Sequence, residues 1–76
     1  MAKKRASSSE GVYRVIDVIG TSKVSWEDAA AKAVATASKS LRDLRIAEVS
    51  KLDMKVEDGK VVAYRARVQL SFKYEA

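Results

Sequence analysis

Apolar and polar positions alternate almost without error over residues 61–74. Val62, Tyr64, Ala66, Val68, Leu70, Phe72 and Tyr74 fall on one face, and Ala63, Arg65, Arg67, Gln69, Ser71 and Lys73 on the other. A period of two over that length predicts a β-strand with one apolar and one polar, cationic face. At about 3.3 Å per residue it runs roughly 45 Å. Residues 25–44 carry a helical pattern, and a helix of that length spans only about 30 Å at 1.5 Å per residue. One helix cannot cover such a sheet, so part of the strand surface is expected to meet another molecule.

The remaining elements follow from the same patterning. Residues 12–19 are rich in β-branched side chains and bounded by Gly11 and Gly20, which predicts a first strand followed by a turn at Gly20-Thr21-Ser22. Ser25 with Asp28 three residues later is a capping box, and Glu27 and Asp28 suit the positive end of a helix. Ala29, Ala30, Ala33, Val34, Ala37, Leu41 and Leu44 then form an apolar stripe at helical spacing. The helix is expected to fray near residues 43–45. A second strand follows over 46–56, and its apolar phase slips. Ala47 and Val49 keep one parity while Leu52, Met54 and Val56 keep the other, which predicts a β-bulge near Ser50 or Lys51. Asp58-Gly59 between two strand patterns predicts a hairpin. The expected fold is α+β, of order β-α-β-β, with a three-stranded antiparallel sheet wrapped around one helix.

Length and composition strengthen the case for assembly. A chain of 76 residues is one domain, here residues 12–76, and buries only about 60% of its unfolded surface. Domains this small rely on disulfides, metals or oligomerisation. The chain has no cysteine, so no disulfide or thiolate metal site is available. It has no histidine either, which removes the commonest general base and transition-metal ligand. Its three glycines, Gly11, Gly20 and Gly59, build no phosphate loop. Catalysis is therefore not expected. Ser25 is accounted for as a cap, and the pairs Glu27-Asp28 and Glu57-Asp58 as a helix start and a turn.

The net charge of +5 is partly local. Lys3, Lys4 and Arg5 against Glu10 contribute +2, leaving +3 for the rest. Residues 1–11 lack any apolar period and read as a disordered basic tail. Three charges make a weak nucleic-acid footprint, so a solubilising role outranks contact with nucleic acid or an anionic membrane. No apolar segment resembles a signal peptide or a membrane span, so a cytoplasmic setting is expected.

Trp26 is the lone tryptophan. At the second position of a capped helix, packing of the helix end onto the sheet outranks a stacking site for a ligand. Arg65, Arg67 and Gln69 are expected to share a sheet face with Ile46, Glu48 and Ser50, with Glu48 paired to Arg67 across the ribbon. Two readings of that face stand: a solvated surface held by ion pairs, or a subunit interface or polar pocket for an anionic ligand.

The segments VYRVIDVIGTS, SWEDAAAKAV, SKSLRDLRIAEV and DGKVVAYRARVQLSFKYE, in that order, resemble the dodecin family over residues 12–75. The resemblance implies β-α-β-β subunits closed into a hollow homododecamer. It also implies flavin storage, with the flavin stacked on tryptophan and hydrogen-bonded by glutamine at subunit contacts. The position matching the stacking tryptophan is Ile46, and the one matching the flavin-binding glutamine is Arg65. Isoleucine offers no π-face comparable to indole, where an aromatic pair is worth about 0.5–1.5 kcal/mol. Arginine donates but cannot accept, so it cannot reproduce an amide's paired contact. Flavin, as FMN or riboflavin, is therefore disfavoured as a cofactor. The chain looks closer to the flavin-poor branch associated with calcium, and the resemblance makes Glu48, Asp53 and Asp58 on the hairpin candidate ligands. It also makes Glu48, Arg67 and Gln69 candidate interface residues.

The expected function is non-enzymatic binding or storage of a small ligand or ion, calcium foremost, by a self-assembled shell with an altered flavin site. A flavin-sequestering dodecin with a non-standard pocket is the alternative within the family. A small basic nucleic-acid-binding protein is the alternative from another class, and it ranks last because its cationic face lacks interleaved aromatics.

Overall fold

Four elements follow one another in this computed structural model, which describes residues 11–73: β1 (Tyr13–Ser22), α1 (Trp26–Ser38), β2 (Leu44–Glu57) and β3 (Lys60–Lys73). The expected basic tail, apart from Gly11, and the last strand position, Tyr74, lie outside the described residues. The strands form one antiparallel sheet in the order β1-β3-β2. The α+β, β-α-β-β architecture is therefore as expected.

The β2–β3 hairpin closes at Asp58 and Gly59, both with positive φ (53° and 74°), between the Glu57–Lys60 pair. Two left-handed residues in a two-residue loop give the turn whose twist matches the strands. The slip in the β2 pattern resolves at Ser50. The register steps from Val49↔Val68 to Lys51↔Arg67, leaving Ser50 unpaired, and its hydroxyl donates to the Arg67 carbonyl at 3.2 Å. The extra residue returns Leu52 and Met54 to the face of Ala47 and Val49, so the apolar side of β2 runs unbroken on the helix side of the sheet.

Two expectations need correction. Gly20, Thr21 and Ser22 do not form a turn, for β1 continues through them. Gly20 lies against the helix, where an added Cβ would overlap the carbonyl of Ala29, so its lack of a side chain serves close helix–sheet packing. The helix stops at Ser38 rather than near residue 44. The amides of Ser40 and Leu41 both donate to the Ala37 carbonyl, and Asp43 adopts φ 59°, which turns the chain into β2. Leu41 and Leu44 still pack on the core, Leu41 from this turn and Leu44 from the first position of β2.

The short helix rests on β1 and β3 and leaves β2 largely uncovered. Ala29, Ala33, Ala66, Val68 and Leu70 form the core, with Ile16, Val18 and Val34 packed around it. Beyond it the ribbon projects. The chain measures 60 × 19 × 17 Å with a radius of gyration of 15.7 Å, where a compact chain of this length has about 11 Å. No described helix is long and apolar enough to cross a membrane.

Candidate functional site

The loop before α1 is knotted by short polar contacts. Ser25 caps the helix by accepting from the Asp28 amide at 3.0 Å. The buried Ser22 hydroxyl donates to the Asp28 carboxylate at 2.6 Å and accepts from the Val24 amide at 2.9 Å. Lys32 lies 3.0 Å from the same carboxylate. The Ser22 hydrogen bond, assisted by Lys32, holds the Asp28 carboxyl below its ordinary pKa. Ser22 is thus occupied as a structural hub.

Trp26 packs the helix start onto the hairpin, as its position predicts. Its indole N–H donates to the Asp53 carbonyl at 2.9 Å, and its ring meets Tyr64 edge-on with centroids 5.1 Å apart. Between it and β2 lies a groove of about 500 Å³ lined by Trp26, Glu27, Ala30, Val49 and Leu52. Val49, Leu52 and Met54 stay 48%, 52% and 46% exposed along this side. They are apolar residues in strand register with a buried core, yet nothing among the described residues covers them.

The opposite face of the sheet carries the charges. Strand register arranges it in rows: Val15–Ser71–Ile46, then Asp17–Gln69–Glu48, then Ile19–Arg67–Lys51, then Thr21–Arg65–Asp53. Arg65 closes a two-point fork on Asp53, with Nε and Nη2 donating to the two carboxylate oxygens at 2.7 and 2.8 Å. The fork holds the Asp53 carboxyl below its ordinary pKa and raises that of Arg65. The expected pairing of Glu48 with Arg67 is not formed. Gln69 lies opposite Glu48, while Arg67 faces Lys51. Among the described residues no ion pair joins Glu48 and Arg67. The three candidate interface residues Glu48, Arg67 and Gln69 do share this one face.

Ile46 and Arg65 also lie on it, but three rows apart, about 20 Å along the strand. One small ligand reaches both positions only if a second chain supplies one of them. Ile46 is 58% exposed and aliphatic, and the Arg65 guanidinium is already engaged by Asp53, so neither position fits a stacked, amide-bonded flavin. The candidate metal ligands Glu48, Asp53 and Asp58 are likewise not brought together. They are spaced about 15 Å apart along β2 and its turn, and Asp53 is bound to Arg65. No group of three or more acidic side chains among the described residues is placed to hold a metal. Within one chain, then, these carboxylates do not fit a calcium ion, which takes six to eight oxygen ligands. Sequence reading missed the Arg65–Asp53 fork and the facing of Lys51 and Arg67. Both rest on a β2–β3 register that shifts between Lys55 and Val56 as well as at Ser50, and the first of these shifts leaves no break in the apolar pattern of β2 to reveal it.

The geometry defines a class: a small β-α-β-β domain whose long hairpin extends beyond its short helix. Comparison with known proteins narrows it. The sequence profile of the family described as Dodecin matches residues 12–75. The calcium dodecin of Mycobacterium tuberculosis is 50% identical over 62 residues, covering 82% of this chain and 87% of that protein. The crystal structure of that calcium-chelating antigen, described as having a novel calcium-binding site, superposes with a TM-score of 0.76 at 48% identity, covering 86% and 93% of the two chains. Dodecin from Streptomyces coelicolor superposes with a TM-score of 0.82 at 37% identity, covering 90% and 97%. The chain belongs to the dodecin family.

Proposed function

We propose that this protein is a non-enzymatic binding protein that assembles into a hollow homododecamer and holds a small ligand or ion, calcium foremost, with the family's flavin position altered. The observation that carries this reading is the state of β2. It is 14 residues long, pairs along nearly its whole length with β3, and leaves every residue but Leu44 exposed. An apolar strand side of that length is stable in water only against a partner. The calcium component is supported by the calcium dodecin of M. tuberculosis, 50% identical to this chain. The scattered carboxylates mean that a calcium site needs oxygen ligands from more than one subunit. The altered flavin position is supported by Ile46 and by the Arg65–Asp53 fork.

Native mass spectrometry of the purified protein, with bound ligands retained, tests the assembly. A particle of about twelve times the 8.3 kDa chain mass is expected, and a monomer at micromolar concentration refutes it. Calcium at about 100 times its dissociation constant adds about 2.7 kcal/mol to the stability of the form that binds it. The unfolding midpoint is therefore expected to rise with calcium and fall again with a chelator, and an unmoved midpoint removes calcium from the reading. Added riboflavin is expected to keep its fluorescence, whereas strong quenching reinstates a flavin site.

A further inference from the structure

We propose that the Met54 thioether is an oxidation site for hydroperoxides, and that its sulfoxide keeps the subunit from assembling. This rests on the self-assembly proposed above and adds a chemical control to it. The chain has two methionines, Met1 and Met54, and no cysteine. Among the described residues Met54 is therefore the only one that carries sulfur. It lies on the helix side of the sheet in register with Tyr64, on the bare apolar stretch that also holds Leu52. Its 46% exposure leaves it open to a dissolved oxidant in a separate subunit. It is also held in place. The Trp26 indole donates to the carbonyl of the preceding residue, Asp53, and packs edge-on against Tyr64.

The reaction is an oxygen transfer. A sulfur lone pair forms the S–O bond as the O–O bond of the peroxide breaks, and hydrogen peroxide leaves as water. Sulfur is oxidised and the peroxide is reduced. The product replaces a flexible apolar side chain with a polar, chiral one, and sulfoxide reductases reverse the change. In a separate subunit the new S–O group stays hydrated. Covered by apolar surface, it loses that water without gaining a hydrogen bond, so the modification weighs against the assembled state alone. The converse also holds: a Met54 already covered by another copy is out of the oxidant's reach. Oxidation and assembly thus exclude each other at this one atom.

The full chain is unfolded in urea, treated with hydrogen peroxide, freed of both and refolded. Peptide mass mapping locates each added oxygen, and native mass spectrometry reads the particle. Wild type oxidised at Met54 is expected to form about tenfold less full-size particle than an untreated sample taken through the same cycle, and to recover it after treatment with sulfoxide reductases for both epimers. Met54→Leu keeps the apolar volume and is expected to reassemble equally with and without peroxide. Oxidation at Met1 or Trp26 is common to both proteins, so the difference isolates Met54. Native wild-type particles are expected to take up oxygen at Met54 about tenfold more slowly than the unfolded chain. Undiminished particles after oxidation overturn the proposal, as do equal losses in Met54→Leu, no recovery once the sulfoxide is reduced, or equal rates of uptake. A monomeric native wild type instead overturns the assembly reading, and this proposal with it.

Discussion

β2 and β3 are each 14 residues long and run side by side, yet their fates differ. β3 buries Ala66, Val68 and Leu70 completely, while β2 buries nothing completely and shields only Leu44 in part. Their apolar content does not explain this, for Val49, Leu52, Met54 and Val56 are as hydrophobic as their neighbours. Position does. β3 is the central strand and lies under the helix, whereas β2 is an edge strand beyond the reach of a helix only 13 residues long. The core half of the molecule is held by its own layers. The arm has no second layer over it among the described residues.

Substitutions separate these halves, beginning with the core. Leu70→Ala is expected to cost about 2–5 kcal/mol in urea unfolding, because it leaves a cavity under the helix. A loss below about 1 kcal/mol would mean that the helix does not seal this sheet. Gly20→Ala is expected to cost about 3 kcal/mol, since its Cβ must displace the helix backbone at Ala29, and a neutral result would refute that close approach. Trp26→Phe keeps an aromatic ring but loses the N–H donated to Asp53. A loss of about 1 kcal/mol in the unfolding midpoint measures how firmly helix and arm are joined.

Leu52→Ala sharpens the contrast directly. In dilute, dissociated protein it is expected to change stability by no more than about 0.5 kcal/mol, while in concentrated protein it weakens the assembly. Equal effects at both concentrations would show that the subunit covers its own arm. The smallest expected effect is that of pH on the Arg65–Asp53 fork. The folded Asp53 carboxyl is held below its ordinary value, so its contribution is fully present above the unfolded pKa of about 3.9 and is lost as pH falls below that toward the folded value. Asp53→Asn is expected to flatten the acid limb of the urea midpoint against pH, and an unchanged acid limb would mean that the fork adds nothing.

Local features were legible because their causes are local. The Ser25 cap, the Asp58-Gly59 hairpin and the bulge at Ser50 each follow from a few adjacent residues, whether a side chain that caps, residues that adopt positive φ, or a break in a period-two pattern. The helix end was misread because Leu41 and Leu44 do face the core, and apolar spacing does not tell a helical turn from a turn leading into a strand. Gly20 looked like a turn residue, since a glycine that admits a neighbouring backbone has no signature in its own segment. Glu48 was paired with Arg67 for the same kind of reason: a bulge can be placed from sequence, but the register beyond it is set by the strand across.

By itself, the sequence determined the order of elements, the two-faced character of the last strand, the absence of histidine and cysteine chemistry, and the excess of strand over helix. These depend on residue identity and spacing along one dimension. Only the tertiary structure decided that Asp53 holds Arg65, that Lys51 faces Arg67, and that β2 rather than β1 is left bare. Each of these is a contact between segments far apart in the chain. Such contacts depend on a register that one inserted residue changes and on which strand the short helix comes to rest upon.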